Sequence, residues 1–115
     1  MQMLLTHPQK RSHAAVVQPV GSLNAENAIR FQYQLNAVVM SDEHSSLLVD
    51  MKQVELIDSA GLMALVNVLR LARSSNKRFC LCSVSRPVRI ILELTQVDKV
   101  LEIFESRAAF NTANC

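Results

Sequence analysis

The spacing of apolar residues along the chain switches repeatedly between the periods of strand and helix. Met3, Leu4, Leu5 and Thr6 form a short run that reads as a first strand. Residues 7–12 are polar and predict a turn, with Pro8 limiting pairing there. Residues 14–20 are rich in β-formers and predict a second strand, antiparallel to the first in a hairpin. Gly21, Ser22, Leu23 and Asn24 break it. Asn24 suits an N-cap for a helix over 25–40, where Ala28, Phe31, Leu35, Val38 and Val39 recur at helical spacing. A polar loop at 41–46 leads into 47–51, apolar except for Asp50, as expected of a central strand covered on both faces. A second helix is predicted over 59–73. It is apolar almost all round until Arg70, which makes it the most buried of the helices. Residues 79–83 read as a strand. Ser85 and Pro87 open a third helix to about Leu94, since a proline costs no hydrogen bond in the first turn. A last short strand is expected within 97–104 and a further helix from Ser106 to about Thr112.

After the opening hairpin, strands and helices alternate. This order predicts an α/β fold: a mixed, mostly parallel sheet of four to five strands with about four helices and right-handed crossovers. Sites in such sheets favour the carboxyl ends of the strands. The segment after Ile57 lies beyond one such end and the turn at 21–24 beyond another, so the two loops are expected to be neighbours.

The bulk numbers narrow the class. A chain of 115 residues, 50% hydrophobic and 19% charged, fits one folded domain with a single core. Four Phe, one Tyr and no Trp leave that core to aliphatic side chains. A net charge of +2 with scattered basic residues argues against nucleic acid as a partner. No run approaches the ~20 apolar residues of a membrane span, and the apolar start is too short for a signal peptide. An odd cysteine count without framework spacing fits a reducing compartment, so the cytoplasm is expected. Cys80 and Cys82 would share one face of a strand about 7 Å apart, too far for an easy disulfide. Two thiolates without a nearby histidine do not make a zinc site, so both read as buried free thiols. The chain's two glycines, Gly21 and Gly61, supply no phosphate-binding loop, and no cofactor is implied.

The chemistry concentrates in Asp58-Ser59-Ala60-Gly61-Leu62, between a strand and a helix. Read structurally, Asp58 or Ser59 caps the helix and Gly61 allows close packing. Read functionally, Ser59 is a phosphoacceptor at a helix N-terminus, where free N–H groups and the helix dipole tolerate a phosphate. Met63 lies on a largely apolar helix. Core packing outweighs its alternative role as an adaptable partner contact.

Together with Gly21-Ser22-Leu23-Asn24, the strand at 47–51 and Ser85-Arg86-Pro87-Val88, this motif resembles the STAS domain of anti-sigma factor antagonists. The resemblance spans residues 3–110 and implies a single STAS-like domain over 1–115. It also implies a non-enzymatic switch. The unmodified protein captures an anti-sigma factor that is also its serine kinase. The form phosphorylated on Ser59 releases it, and a metal-dependent serine phosphatase resets the switch. Ser22, Asn24, Asp58, Ala60, Gly61 and Met63 would form the docking surface. Two positions depart from the family pattern: Ala60 removes a second candidate hydroxyl, and Asn24 replaces a frequent Asp. The alternatives are a constitutive interaction subunit of a membrane transport complex, with Ser59 only a cap, and a small serine hydrolase. The latter lacks a Gly-x-Ser-x-Gly elbow and would need His7, His13 or His44 beside Ser59.

Overall fold

A computed structural model describes residues 2–6 and 14–113 of the chain. The turn expected at 7–12, together with His7, His13 and Cys115, lies outside the described residues. Five strands form one sheet in the order β1 (Gln2–Thr6), β2 (Ala14–Val20), β3 (Ser46–Asp50), β4 (Arg78–Cys82) and β5 (Glu102–Phe104). β1 runs antiparallel to β2, with Gln2 opposite Val20, and the other pairings are parallel. Between the strands run α1 (Ala28–Val39), α2 (Ser59–Ser74) and α3 (Arg86–Leu94), and α4 (Arg107–Ala113) follows β5. The mixed, mostly parallel α/β architecture and its opening hairpin agree with the sequence pattern.

The strand period of two sorts the side chains onto two faces. Ala15, Val17, Leu47, Val49, Phe79 and Leu81 pack against Phe31 and Leu35 of α1, Leu65 and Val68 of α2, and Val88 and Leu92 of α3. Ala14, Val16, Leu48, Cys80 and Cys82 point the other way and are covered by Phe110 of α4, with Phe104 beside it. The two rings meet edge to face at 5.4 Å. Three crossover helices thus lie on one face, and the short α4 closes the other.

Asp50 is the polar interruption in the central strand. Its carboxylate is buried but fully engaged: Oδ1 accepts from the Lys52 N–H at 3.0 Å and Oδ2 from Arg107 Nε at 2.7 Å. A buried carboxylate needs such a partner, and this one fastens the start of α4 to the end of β3. Cys80 and Cys82 are free thiols on one face of β4, as the alternation requires. Burial pushes the Cys80 thiol up to about 12 and the Cys82 thiol up to about 11.

The start of the first helix differs from expectation. α1 begins at Ala28, not at position 25, because residues 25–27 form a turn first. Asn24 therefore does not cap the helix; Asn27 occupies the cap position. The short strand expected within 97–104 is β5, three residues long, preceded by a turn of 3-10 helix at Val97–Lys99 that is entered through Gln96 at φ 62°. Ser85 does stand at the N-cap of α3, with Pro87 in the first turn, but its hydroxyl makes no cap bond.

Phe110→Ala removes the plug over the second face. It should lower stability by about 3–5 kcal/mol in urea titrations. It should also raise the alkylation rate of Cys80 and Cys82, both slow in the parent at mildly alkaline pH because the thiolate fraction is small.

Candidate partner-docking site around Ser59

The chain that leaves β3 runs back beside the chain that leaves β2. Gly21 N–H donates to Gln53 O and Leu23 N–H to Leu56 O, each at 3.0 Å, and Asp58 N–H returns a bond to Leu23 O at 3.0 Å. Leu23 and Ile57 pair as an isolated parallel bridge. These bonds extend the sheet's pairing past the ends of the strands, so the two loops are one rigid unit.

Asp58 is the joint of that unit. Its extended backbone sets it as the N-cap of α2, and Oδ1 accepts the Gly61 N–H at 2.9 Å. Oδ2 accepts the Ala25 N–H at 3.1 Å, on the opposite loop. One carboxylate thus holds both the first turn of α2 and the turn before α1. The capping role left open between Asp58 and Ser59 falls to Asp58. On the other side, Asn24 accepts the Glu26 N–H at its side chain and the Asn27 and Ala28 N–H groups at its carbonyl. Asn27 fastens the turn further, donating to Ser22 O at 2.8 Å and accepting the Asn24 N–H at 3.0 Å.

Gly61 makes the approach possible. A Cβ there would stand 2.8 Å from both Cβ and O of Leu23 and 2.9 Å from Ile57 Cγ1. Those are backbone-anchored atoms, and they leave no room for a methyl group.

Ser59 is the first residue of α2 and is exposed. With Asp58 doing the capping, its hydroxyl has no hydrogen-bond partner among the described residues. Four residues on, Met63 shares its helical face. Met63 is 48% exposed, so the expected core packing is corrected: the buried stripe of α2 passes through Gly61, Ala64, Leu65, Val68, Leu69 and Ala72 and leaves position 63 outside. A hydrogen bond of 3.2 Å joins Asn67 of α2 to Gln32 of α1. One turn back from each partner stand Met63 and Ile29, and Ile29 is 68% exposed. Leu56, two residues before Asp58, is exposed as well. Met63, on the Ser59 face of α2, and the exposed Ile29 and Leu56 are thus apolar side chains that the fold does not bury.

The predicted residues Ser22, Asn24, Asp58, Ser59, Ala60, Gly61 and Met63 therefore all lie in or beside the joined loops, but with different tasks. Gly61 is buried and holds the geometry, Asp58 holds both loops, and Ser59 and Met63 face solvent. Asn27, Ile29 and Leu56 were missed. The polar Asn27 sits directly before the helix without a distinctive pattern, and exposed Ile or Leu cannot be told from core residues by type. His44 stands before β3, at the opposite end of that strand from Ser59, and so cannot serve it as a base.

A family model for the STAS domain matches residues 7–109. The chain belongs to the STAS domain family. A Thermotoga maritima protein described as an anti-sigma factor antagonist is 30% identical over 91 residues, covering 79% of this chain and 80% of the relative. A crystal structure of an anti-sigma factor antagonist from Thermotoga maritima superposes with a TM-score of 0.87 at 24% identity, covering 97% of this chain and 93% of that one. The Bacillus cell fate determinant SpoIIAA in its phosphorylated form superposes with a TM-score of 0.71 at 12% identity, covering 97% and 99%. At such identities the structures establish the STAS fold. No helix among the described residues is long and apolar enough to cross a membrane.

In most helices Gly→Ala gains up to about 1 kcal/mol from propensity. In this STAS domain the clash with Leu23 reverses the sign. Gly61→Ala should lower stability by about 1–3 kcal/mol, read as an earlier urea midpoint. An unchanged or later midpoint would show that the two loops are not in contact.

Proposed function

We propose that this STAS protein is a phosphorylation-controlled switch of the anti-sigma factor antagonist type. Unmodified, it binds an anti-sigma factor that is also its serine kinase. Phosphorylated on Ser59, it lets that partner go, and a metal-dependent serine phosphatase restores the binding form. The switch would work in the cytoplasm, where such a kinase finds ATP.

One observation carries this reading: Ser59 is exposed in the first turn of α2 while Asp58 does the capping. Esterifying the hydroxyl removes no contact that the fold uses. The added phosphate brings roughly −1.5 to −2 charges. It would stand near the N–H groups of the first turn, which favour it. Asp58 opposes it by like charge. Folding should therefore change little. Docking should change a great deal, because the same charge must be desolvated beside Met63 and Ile29 when a partner covers them. Misplaced interfacial charge costs several kcal/mol, and each 1.4 kcal/mol is about tenfold in affinity. Ser22, Asn24, Ala60 and Met63 would lie within the covered surface.

Ser59→Ala should block the single phosphate added by the cognate kinase, read by intact mass, and leave partner binding in place. A phosphate still gained by Ser59→Ala would place the acceptor elsewhere. Ser59→Glu should weaken partner binding at least about tenfold in calorimetry, with an unchanged melting temperature.

Met63→Glu tests the surface separately from the modification. With the side chain outside the core, stability should stay within about 0.5 kcal/mol of the parent. Partner affinity should fall about tenfold or more. Undiminished binding by both Met63→Glu and Ser59→Glu would favour a constitutive partner on another face.

A further inference from the structure

The two helices beside Ser59 carry matching lines of outward side chains. On α2, Ser59, Met63, Val66 and Arg70 follow at the spacing of one helical face. On α1, Ile29 and Tyr33 stand one turn apart, and Met40, at the C-terminal cap, falls on the same line two turns later. Tyr33 is 68% exposed and Met40 60%, so neither serves the core. Both helices cross over between parallel strands and run in the same direction, so the lines lie side by side. They meet at two levels. The Asn67–Gln32 bond lies beside Tyr33, and Ser75 Oγ, just past α2, donates to Met40 Sδ at 3.7 Å. The apolar surface at Ile29 and Met63 therefore continues along the seam of the two helices for three turns, about 16 Å.

Charge on this surface is sparse. Neither α1 nor α2 contains an Asp or a Glu. Arg70 is the only charged residue on either line, since Arg30 stands off the α1 line. Arg70 is exposed and forms no ion pair or side-chain hydrogen bond among the described residues. Carboxylates stand beyond both ends of the lines: Glu26, Glu55 and Asp58 in the loops at the Ser59 end, Asp42 and Glu43 in the loop after Met40.

We propose that this seam receives one α-helix of the partner, apolar over three turns and carrying a carboxylate that pairs with Arg70. The inference rests on the switch reading given above and names the part of the partner that docks. The shape fits, because two packed helices about 8–10 Å apart leave a groove that a third helix fills with side chains one turn apart. The charge fits, because an uncommitted guanidinium among apolar side chains pairs best with a carboxylate. The acidic loops at the Ser59 end hold that carboxylate three turns away from the phosphoacceptor. Tyr33, midway along the seam, would be the anchor, since Tyr and Arg are enriched among the residues that carry binding energy. A second copy of this chain has no Asp or Glu on its own two lines to meet Arg70. An anionic membrane calls for a cluster of cations, and the carboxylates at both ends of the seam oppose it.

Calorimetry on the full chain with the purified anti-sigma factor tests the proposal. Tyr33→Ala and Arg70→Glu should each raise the dissociation constant about tenfold or more. Both side chains are exposed, so the melting temperatures should hold. Leu94→Ala, exposed on α3, should leave binding and melting unchanged. Hydrogen exchange in the complex should protect one helical segment of the partner, and changing its carboxylate to Lys should restore affinity for Arg70→Glu. Binding weakened by Ser59→Glu but by neither Tyr33→Ala nor Arg70→Glu would overturn the seam and leave the switch standing. The reverse pattern would uphold the seam and overturn the switch. Protection confined to a loop or strand of the partner, or a charge reversal that restores nothing, would also end the proposal. So would a dimer of this chain alone, or co-sedimentation with phosphatidylglycerol vesicles, that Tyr33→Ala abolishes.

Discussion

The first turn of α2 lies so close to Leu23 that a Cβ on residue 61 would stand 2.8 Å from that residue's carbonyl oxygen. Only a glycine permits this approach, and the rest of the docking end depends on it. With the two loops in contact, the Asp58 carboxylate can serve both, taking the Gly61 N–H with one oxygen and the Ala25 N–H with the other. The capping of α2 and the tethering of the neighbouring loop are therefore one interaction. Moving the loops apart would leave a helix N–H or a loop N–H without its acceptor.

Because Asp58 satisfies the helix end, Ser59 has no structural duty. A serine is common as a cap in its own right, and a capping hydroxyl is a poor acceptor for a kinase because modification would break the cap. Here the two roles are divided between adjacent residues. This division makes position 59 suitable for reversible chemistry, whatever the identity of the partner.

Much of this was legible in the chain. Strand and helix periods fixed the order of elements, and the alternation after the hairpin implied a parallel sheet whose site-bearing loops gather at the carboxyl ends of the strands. The nearness of the 21–24 and 58–61 segments followed from topology alone. What escaped depended on turn geometry or on tertiary contact. Asn24 has the composition of a cap, yet its carbonyl and side chain organise a turn and the helix waits until Ala28. Met63 looked like core because its helix is apolar nearly all round, and only the neighbours decide which stripe is buried. Asp50 looked like a flaw in a central strand until Arg107, 57 residues later in sequence, supplied its counter-charge. No local pattern announces a partner so remote.

The rigidity of the joined loops also bears on how a switch here would act. A conformational mechanism needs an element with two arrangements that the modification favours unequally. The tethers at this end are backbone pairings and the Asp58 fork, and none of them uses the Ser59 hydroxyl. A phosphate on Ser59 leaves each of these bonds in place, so it has no lever on the loop geometry. What it alters is the field over Met63, Ile29 and Leu56, surface a partner must dehydrate to reach. The proposed switch is accordingly one of surface electrostatics on a fixed scaffold, with the modified and unmodified proteins sharing one fold and differing in what can approach it.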